Sequence, residues 1–218
     1  ASDYYVQYDG SLNTATSAVN YDIANASYTQ AFSVASQETF PSGIAFNTDG
    51  TKMFITGNTG NDINEYTLST AYDVSSAVFV DSFDVSAKQA AVMGVAFNTD
   101  GTKMFIVGET EDTVAQYALS TGFDVSTASF TQTFSIASQE TEAQSLTFNT
   151  DGTKMFIVGD TGNDISEYTL SSGFDVSTAS FVDSFSLASQ TTQPKEGIFN
   201  TDGTELYVLS RSPTKVFK

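Results

Sequence analysis

Phe46-Asn47-Thr48-Asp49-Gly50-Thr51-Lys52-Met53-Phe54-Ile55 recurs without a change from Phe97 to Ile106 and from Phe148 to Ile157. A drifted copy, FNTDGTELYV, runs from Phe199 to Val208. The copies begin at 46, 97, 148 and 199, a constant step of 51 residues. A period that tolerates no insertion means one structural unit used repeatedly, each copy resting on the next.

The period extends beyond the motif. Tyr72, Phe123 and Phe174 share the step and are each followed by Asp-Val-Ser, and Phe83, Phe134 and Phe185 share it too. One step back from these residues lie Tyr21, in Tyr21-Asp22-Ile23, and Phe32. The stretch from about 20 to 39 therefore reads as the back half of a unit, and the stretch from Gln193 onward as a front half.

Each unit reads as four strands. In the third copy, Ser145 to Phe148 is a short strand and Asn149-Thr150-Asp151-Gly152 a turn, with glycine supplying the positive φ that a tight reversal needs. Lys154 to Val158 returns as the second strand. Asp160-Thr161-Gly162-Asn163-Asp164 has loop composition. Ile165, Tyr168 and Leu170 mark a third strand, and Ser180 to Leu187 a fourth, with Phe181, Phe185 and Leu187 on one face. No helical spacing persists. Four strands in 51 residues is the size of a propeller blade, and radial packing of blades leaves only short edges open.

The expected fold is thus all-β, a β-propeller of four four-stranded blades, with the last blade closed by both termini. Residues 40–90, 91–141 and 142–192 are full repeats. Residues 1–39 and 193–218 supply the two parts of the composite blade within a single domain, 1–218. Two segments compete for its third strand: Lys215-Val216-Phe217, which is in register, and Tyr4-Tyr5-Val6-Gln7-Tyr8, which is not.

The motif resembles the F-N-x-D-G-T-K-M-F/Y propeller repeats of secreted bacterial proteins and phage structural proteins. The resemblance covers nearly the whole chain past Asn20. It implies an extracellular, secreted or virion-surface location, and it implies little about activity, because propellers host unrelated functions.

Composition narrows the chemistry. Eight Lys and Arg against 26 Asp and Glu give a net charge of −18. Such a surface repels nucleic acid and anionic membranes, and no apolar run is long enough to span a bilayer. There is no Cys and no His. Disulfides, the usual zinc ligands and the Ser-His and Cys-His nucleophile pairs are thereby excluded.

Two groups of residues stand out. The loops after the second strands carry Asn58, Asn61 and Asp62; Glu109, Glu111 and Asp112; and Asp160, Asn163 and Asp164. Clustered oxygens around a bend suit Ca2+, which takes six to eight of them. Tyr4, Tyr5, Val6 and Tyr8 lie outside the repeat register and read as an interface, where tyrosine is enriched. The Asp-Gly turns read as turns, with Lys52, Lys103 and Lys154 pairing with their acids. Phe46, Phe97, Phe148 and Phe199 read as core between blades.

Near-identical repeats offer little asymmetry for a substrate pocket. The expected function is accordingly a non-enzymatic structural or interaction protein on an extracellular or virion surface: a phage decoration or tail component, or a surface filament subunit. Its partners would be itself or other structural subunits. A glycan- or calcium-dependent binding module is the alternative, and an acidic hydrolase the remote one.

Overall fold

A computed structural model describes residues 28–200 and 202–218. Contacts divide the chain into units 1–31 and 32–218. Of the first, only 28–31 are described, as exposed or half-exposed chain without strand structure. All that follows concerns the second unit, and Tyr4, Tyr5, Val6 and Tyr8 lie outside the described residues.

The protein is an all-β propeller of four blades. The first contains Pro41–Phe46 (β1), Lys52–Gly57 (β2), Asp62–Leu68 (β3) and Ala77–Asp84 (β4). The second contains Val92–Phe97 (β5), Lys103–Gly108 (β6), Thr113–Leu119 (β7) and Ala128–Ser135 (β8). The third contains Ala143–Phe148 (β9), Lys154–Gly159 (β10), Asp164–Leu170 (β11) and Ala179–Ser186 (β12). These twelve strands form three four-stranded antiparallel meanders in sequence order. The fourth blade has three strands among the described residues: Gln193–Phe199 (β13), Leu206–Ser212 (β14) and Thr214–Phe217 (β15). The third strand of this blade is therefore the C-terminal claimant, with Val216 opposite Leu209.

The first strands pack on one another from blade to blade, β1 on β5, β5 on β9 and β9 on β13. They form the inner edge of the propeller. The only helical turns among the described residues are short 3-10 turns at Val74–Ser76, Val125–Thr127 and Val176–Thr178. Here the Asp-Val-Ser motif acts as a cap: the Asp124 side chain accepts from the Ser126 N–H and Oγ, and Asp73 and Asp175 repeat the arrangement.

The Asp-Gly turns are also as the residues dictate. Gly101 has φ 72° and donates its N–H to the Asn98 carbonyl at 3.0 Å, while Asp100 Oδ1 accepts from the N–H of Thr102 at 3.0 Å and from its hydroxyl. A Cβ on Gly101 would enter the Phe123 ring. Gly101→Ala is therefore expected to cost about 1–2 kcal/mol of left-handed strain, plus the displacement of Phe123. Urea unfolding checks this, and an unchanged midpoint would reject it.

The lysines after these turns do not pair with the turn acids. Lys52 reaches Glu65 Oε1 and the Phe123 carbonyl, both at 2.6 Å, and Lys103 reaches the Phe174 carbonyl at 2.7 Å. Each ammonium thus ties its blade to the Tyr/Phe-Asp-Val connection of the next blade. Burial explains the change of partner, since the turn acids lie at the surface with Thr donors of their own. The opposite face of the connection is held as well: the Val125 N–H donates to Glu65 Oε2 at 2.9 Å and the Val176 N–H to Gln116 Oε1 at 3.0 Å.

The cores lie between blades. One cluster joins Phe54 and Ile63 of the first blade to Val95, Met104, Ile106 and Tyr117 of the second, and the next cluster repeats this one blade further on. The repeating phenylalanines stack where the sequence puts them, Phe97 on Phe54 at 4.5 Å, Phe148 on Phe105 at 4.6 Å and Phe199 on Phe156 at 4.6 Å. Phe83 and Phe134 meet Tyr117 and Tyr168 of the following blade edge-on at 5.5 Å. Phe181 and Phe185 of β12 do not form the expected inward stripe with Leu187. A bulge opposite Glu167/Tyr168 puts them on opposite faces, and Phe185, unlike Phe83 and Phe134, has no tyrosine of a following blade against it among the described residues; both phenylalanines are exposed whereas Leu187 is buried.

Candidate functional site

Each first strand carries a β-bulge near its start. Thr56 lies opposite Gly43 and Gly57 opposite Pro41, which leaves Ser42 bulged. The same geometry bulges Met93, Gln144 and Lys195. Bulges re-aim side chains, and here they do so at the end of the inner strands that also bears the β2–β3 type loops. The four bulged residues are Ser, Met, Gln and Lys, in strands that all end on the same Phe. The residues that follow are Gly43, Gly94, Ser145 and Glu196. The repeat is broken at this end of the propeller.

Across the first three blades the site is closed by backbone. A Cβ on Gly43 would lie 2.8 Å from the Met93 carbonyl, and one on Gly94 3.1 Å from Ser145 Cα. Glycine is needed here for close approach. Ser42 Oγ donates to the Val92 carbonyl at 2.6 Å, and Asn58 Nδ2 meets Met93 Sδ at 3.9 Å. This part of the ring of bulges carries no charged group.

Between the third and fourth blades the same positions are polar. Lys195 Nζ donates to Gln144 Oε1 at 2.7 Å and to Asp160 Oδ2 at 2.9 Å. The buried Gln144 in turn donates from Nε2 to Glu109 Oε1 at 2.9 Å. An ordered run of carboxylate, amide, ammonium and carboxylate therefore spans three blades. Beside it, burial pushes the Glu196 carboxyl up to about 7, with the Ser145 hydroxyl pulling the other way. A carboxyl that titrates near neutrality, next in the chain to the bulged Lys195, can exchange protons with a bound substrate.

The loop that carries Asp160 is anchored from below. The buried Glu140 accepts N–H groups from Thr141, Glu142, Thr161 and Gly162, at 2.7–3.2 Å. Such charge-assisted bonds to consecutive backbone donors hold a loop rigid.

The loop residues singled out from the sequence are divided by the fold. Glu109 and Asp160 join through Gln144 and Lys195. Asn61 Oδ1 accepts from the Ala91 N–H at 2.8 Å, Asp62 Oδ1 from Asn64 Nδ2 at 2.7 Å, and Glu111 Oε2 from the Ala90 N–H at 2.9 Å and the Thr110 hydroxyl at 2.7 Å. Asn61, Asp112 and Asn163 have φ near +50°, the left-handed conformation that Asn and Asp tolerate. The carbonyls of Asp112 and Asn163 receive the N–H of Ile136 and Leu187. Asp164 is raised by burial and by Glu140 nearby. Asn58 Oδ1, Asp160 Oδ1, Asn163 Oδ1 and Asp164 Oδ1 are buried without a hydrogen-bond partner. Among the described residues, no three carboxylates gather into a metal-holding group.

Sequence reasoning passed over Gln144, Ser145, Lys195 and Glu196. Attention went to what repeats and to acid-rich loops. The signal was in the columns: at 42, 93, 144 and 195 the residue differs in every copy, and at 43, 94, 145 and 196 two glycines give way to Ser and Glu, whereas the motif that follows from 46, 97 and 148 is unchanged.

No protein-family model matches the chain, and no curated protein matches it in sequence. Its fold is shared with solved propellers of low identity. A candidate 6-phosphogluconolactonase from Bacteroides fragilis superposes with a TM-score of 0.59 at 14% identity, covering 81% of this chain and 49% of that one. A candidate 6-phosphogluconolactonase from Bacteroides uniformis gives 0.58 at 14% identity, with 82% and 50% covered. The periplasmic gluconolactonase of Pseudomonas aeruginosa gives 0.53 at 18% identity, with 82% and 52% covered. The chain spans about half the length of these structures.

These neighbours are lactonases by name, and against them the expectation of a non-enzymatic structural component of a virion or surface filament does not stand. The physical premise of that expectation fails too. It rested on a lack of asymmetry among blades, and the ring of bulges is asymmetric at every position.

Proposed function

We propose that the chain is a hydrolase of the lactonase type, acting on the ring ester of a sugar-acid lactone at the Lys195–Glu196 end of the inner strands. The observation that carries this reading is the Glu196 carboxyl, raised to about 7 beside the bulged Lys195. The lactone names of the structural neighbours supply the substrate class.

The chemistry follows from the groups present. Lys195 Nζ, held by Asp160 and Gln144, polarises the lactone carbonyl and offsets the charge that develops on its oxygen. Ionised Glu196 takes a proton from water as the water oxygen bonds to the carbonyl carbon. The bond from that carbon to the ring oxygen then breaks, and the proton passes from Glu196 to the departing alkoxide. One water is consumed, and an open hydroxy acid is formed. A net charge of −18 favours a neutral lactone over a phosphorylated one and repels the carboxylate product.

The test is hydrolysis of glucono-δ-lactone, followed by acid release against the uncatalysed rate. Turnover above background is expected. Lys195→Met should lower kcat about 100-fold, the scale of losing one group that stabilises an oxyanion. Wild-type protein without turnover on any of a panel of neutral sugar lactones would overturn the reading.

A further inference from the structure

Each interior blade offers two faces, and the chain shows three times how they meet. Position 197 of the fourth blade illustrates the contact: a Cβ on Gly197 would lie 2.8 Å from Val158 and 3.6 Å from Ile165 of the blade before it. One blade's residues at the 158 and 165 registers are therefore covered by the next blade's residue at the 197 register.

At the two ends of the series these faces are bare. Val216 is 62% exposed, whereas its counterparts Val114 and Ile165 are buried at 0% and 4%. Leu209 is 48% exposed, whereas Val107 and Val158 are at 0% and 1%. On the first blade Ile44 is 59% exposed, whereas Val95 and Leu146 are at 9% and 5%. β13 and β1 do not make the extensive packing that every consecutive pair of first strands makes. The fourth and first blades of one chain thus leave two complementary apolar faces apart.

A cleft of about 840 Å³ between the third and fourth blades repeats the message. Phe156, Phe199, Lys154 and Glu167 line it. At the two equivalent seams this space holds Phe123 or Phe174, whose carbonyl takes the lysine ammonium and whose following valine N–H takes the Glu or Gln side chain. In the cleft, the Lys154 and Glu167 side chains pair with each other at 2.6 Å and, among the described residues, with nothing from another blade. Among the described residues, the face at the end of the series is the one left without an occupant.

We infer that the occupant is a second copy of this chain. Its first blade would cover Leu209 and Val216 with Ile44. The same seam formed in the reverse direction closes a two-copy ring. A copy, and not the chain's own first blade, is favoured by the gap between β13 and β1. Two faces that each recur inside the chain need no new complementarity to meet between chains. This inference does not rest on the lactonase reading.

Light scattering on the wild-type chain should give about twice the 23.3 kDa chain mass. A double variant, Leu209→Asp with Val216→Asp, should run at the single-chain mass with an unchanged circular dichroism spectrum, because both side chains are exposed in the lone chain. The protein has no Cys, so the pair Ile44→Cys and Leu209→Cys reports the seam directly. Oxidation should yield a covalent dimer on a non-reducing gel. A wild-type mass of one chain, an open series of larger masses, or a disulfide confined to one chain would each overturn the inference. None of these readings uses activity, so they stand or fall apart from the lactone assay.

Discussion

Glu196→Gln is expected to abolish most lactone turnover while making the protein more stable in mild alkali. The two effects have one origin. Burial holds the Glu196 carboxyl at about 7 in the folded chain, against an ordinary value near 4.5. The folded state therefore binds this proton more tightly than the unfolded chain does. Stability from this group is fully present below about pH 4.5 and is lost as pH rises to about 7. Above that, the fold carries a buried charge. At roughly 1.4 kcal/mol per pH unit, the loss amounts to roughly 2–3 kcal/mol at pH 8, on the order-of-magnitude footing proper to a half-buried group. Glutamine keeps the shape and never ionises, so unfolding at pH 8 should move up by about this much and unfolding at pH 4 hardly at all. Activity should respond in the opposite sense. In the wild type, kcat/KM should rise through pH 7 as the base ionises. In the variant that rise should vanish, and the rate should fall about 10²–10⁴-fold, the usual contribution of a positioned base. A variant that keeps the rise would show that another group is the base. A variant no more stable at pH 8 would show that Glu196 is not held neutral by its surroundings.

Phe105→Ala is expected to cost about 3–5 kcal/mol, the range for emptying a buried phenylalanine site. Phe105 is fully buried and meets Phe148 at 4.6 Å and Phe174 at 6.3 Å across the seam between the second and third blades. The loss would be felt at a seam, not inside one sheet, because the clusters join adjacent blades. The matching change at Phe156, Phe156→Ala, should cost much less. Its seam has Phe199 at 4.6 Å but, among the described residues, no third ring, and it borders the open cleft. Chemical denaturation of the two variants side by side measures the contrast. Equal losses would mean that the cleft is filled in solution.

Much of the architecture could be read from the residues. A step of 51 fixed the number of blades, Asp-Gly placed the turns, and the aromatic columns fell at the seams. These depend on local chemistry and on periodicity, which a sequence displays directly. The candidate site could not be read in the same way. Its members come from 109, 144, 160, 195 and 196, which only the close approach of three blades brings together. Glu109 and Asp160 were visible as loop acids, but their partners, the Gln144 amide and the Lys195 ammonium, sit on bulged positions of other strands. Bulges at Gln144 and Lys195 leave no local mark, because the strand residues around them look ordinary. The turn lysines were misassigned for a related reason. Asp49 is near Lys52 in sequence, whereas the Phe123 carbonyl, 71 residues away, is nearer in space.

The Lys-to-carbonyl and N–H-to-carboxamide ties give each blade a direction: one side offers the ammonium and acceptor, the other the connecting turn. Any two points 51 residues apart present the same pair of surfaces. A gene that loses or gains one whole period by recombination between its near-identical copies would thus still encode surfaces that fit. A slip of a few residues would place strand against loop at every later junction. The uniform spacing of this chain is what such a filter leaves behind, and the varied residues at the strand bulges are where the surviving copies have been free to diverge.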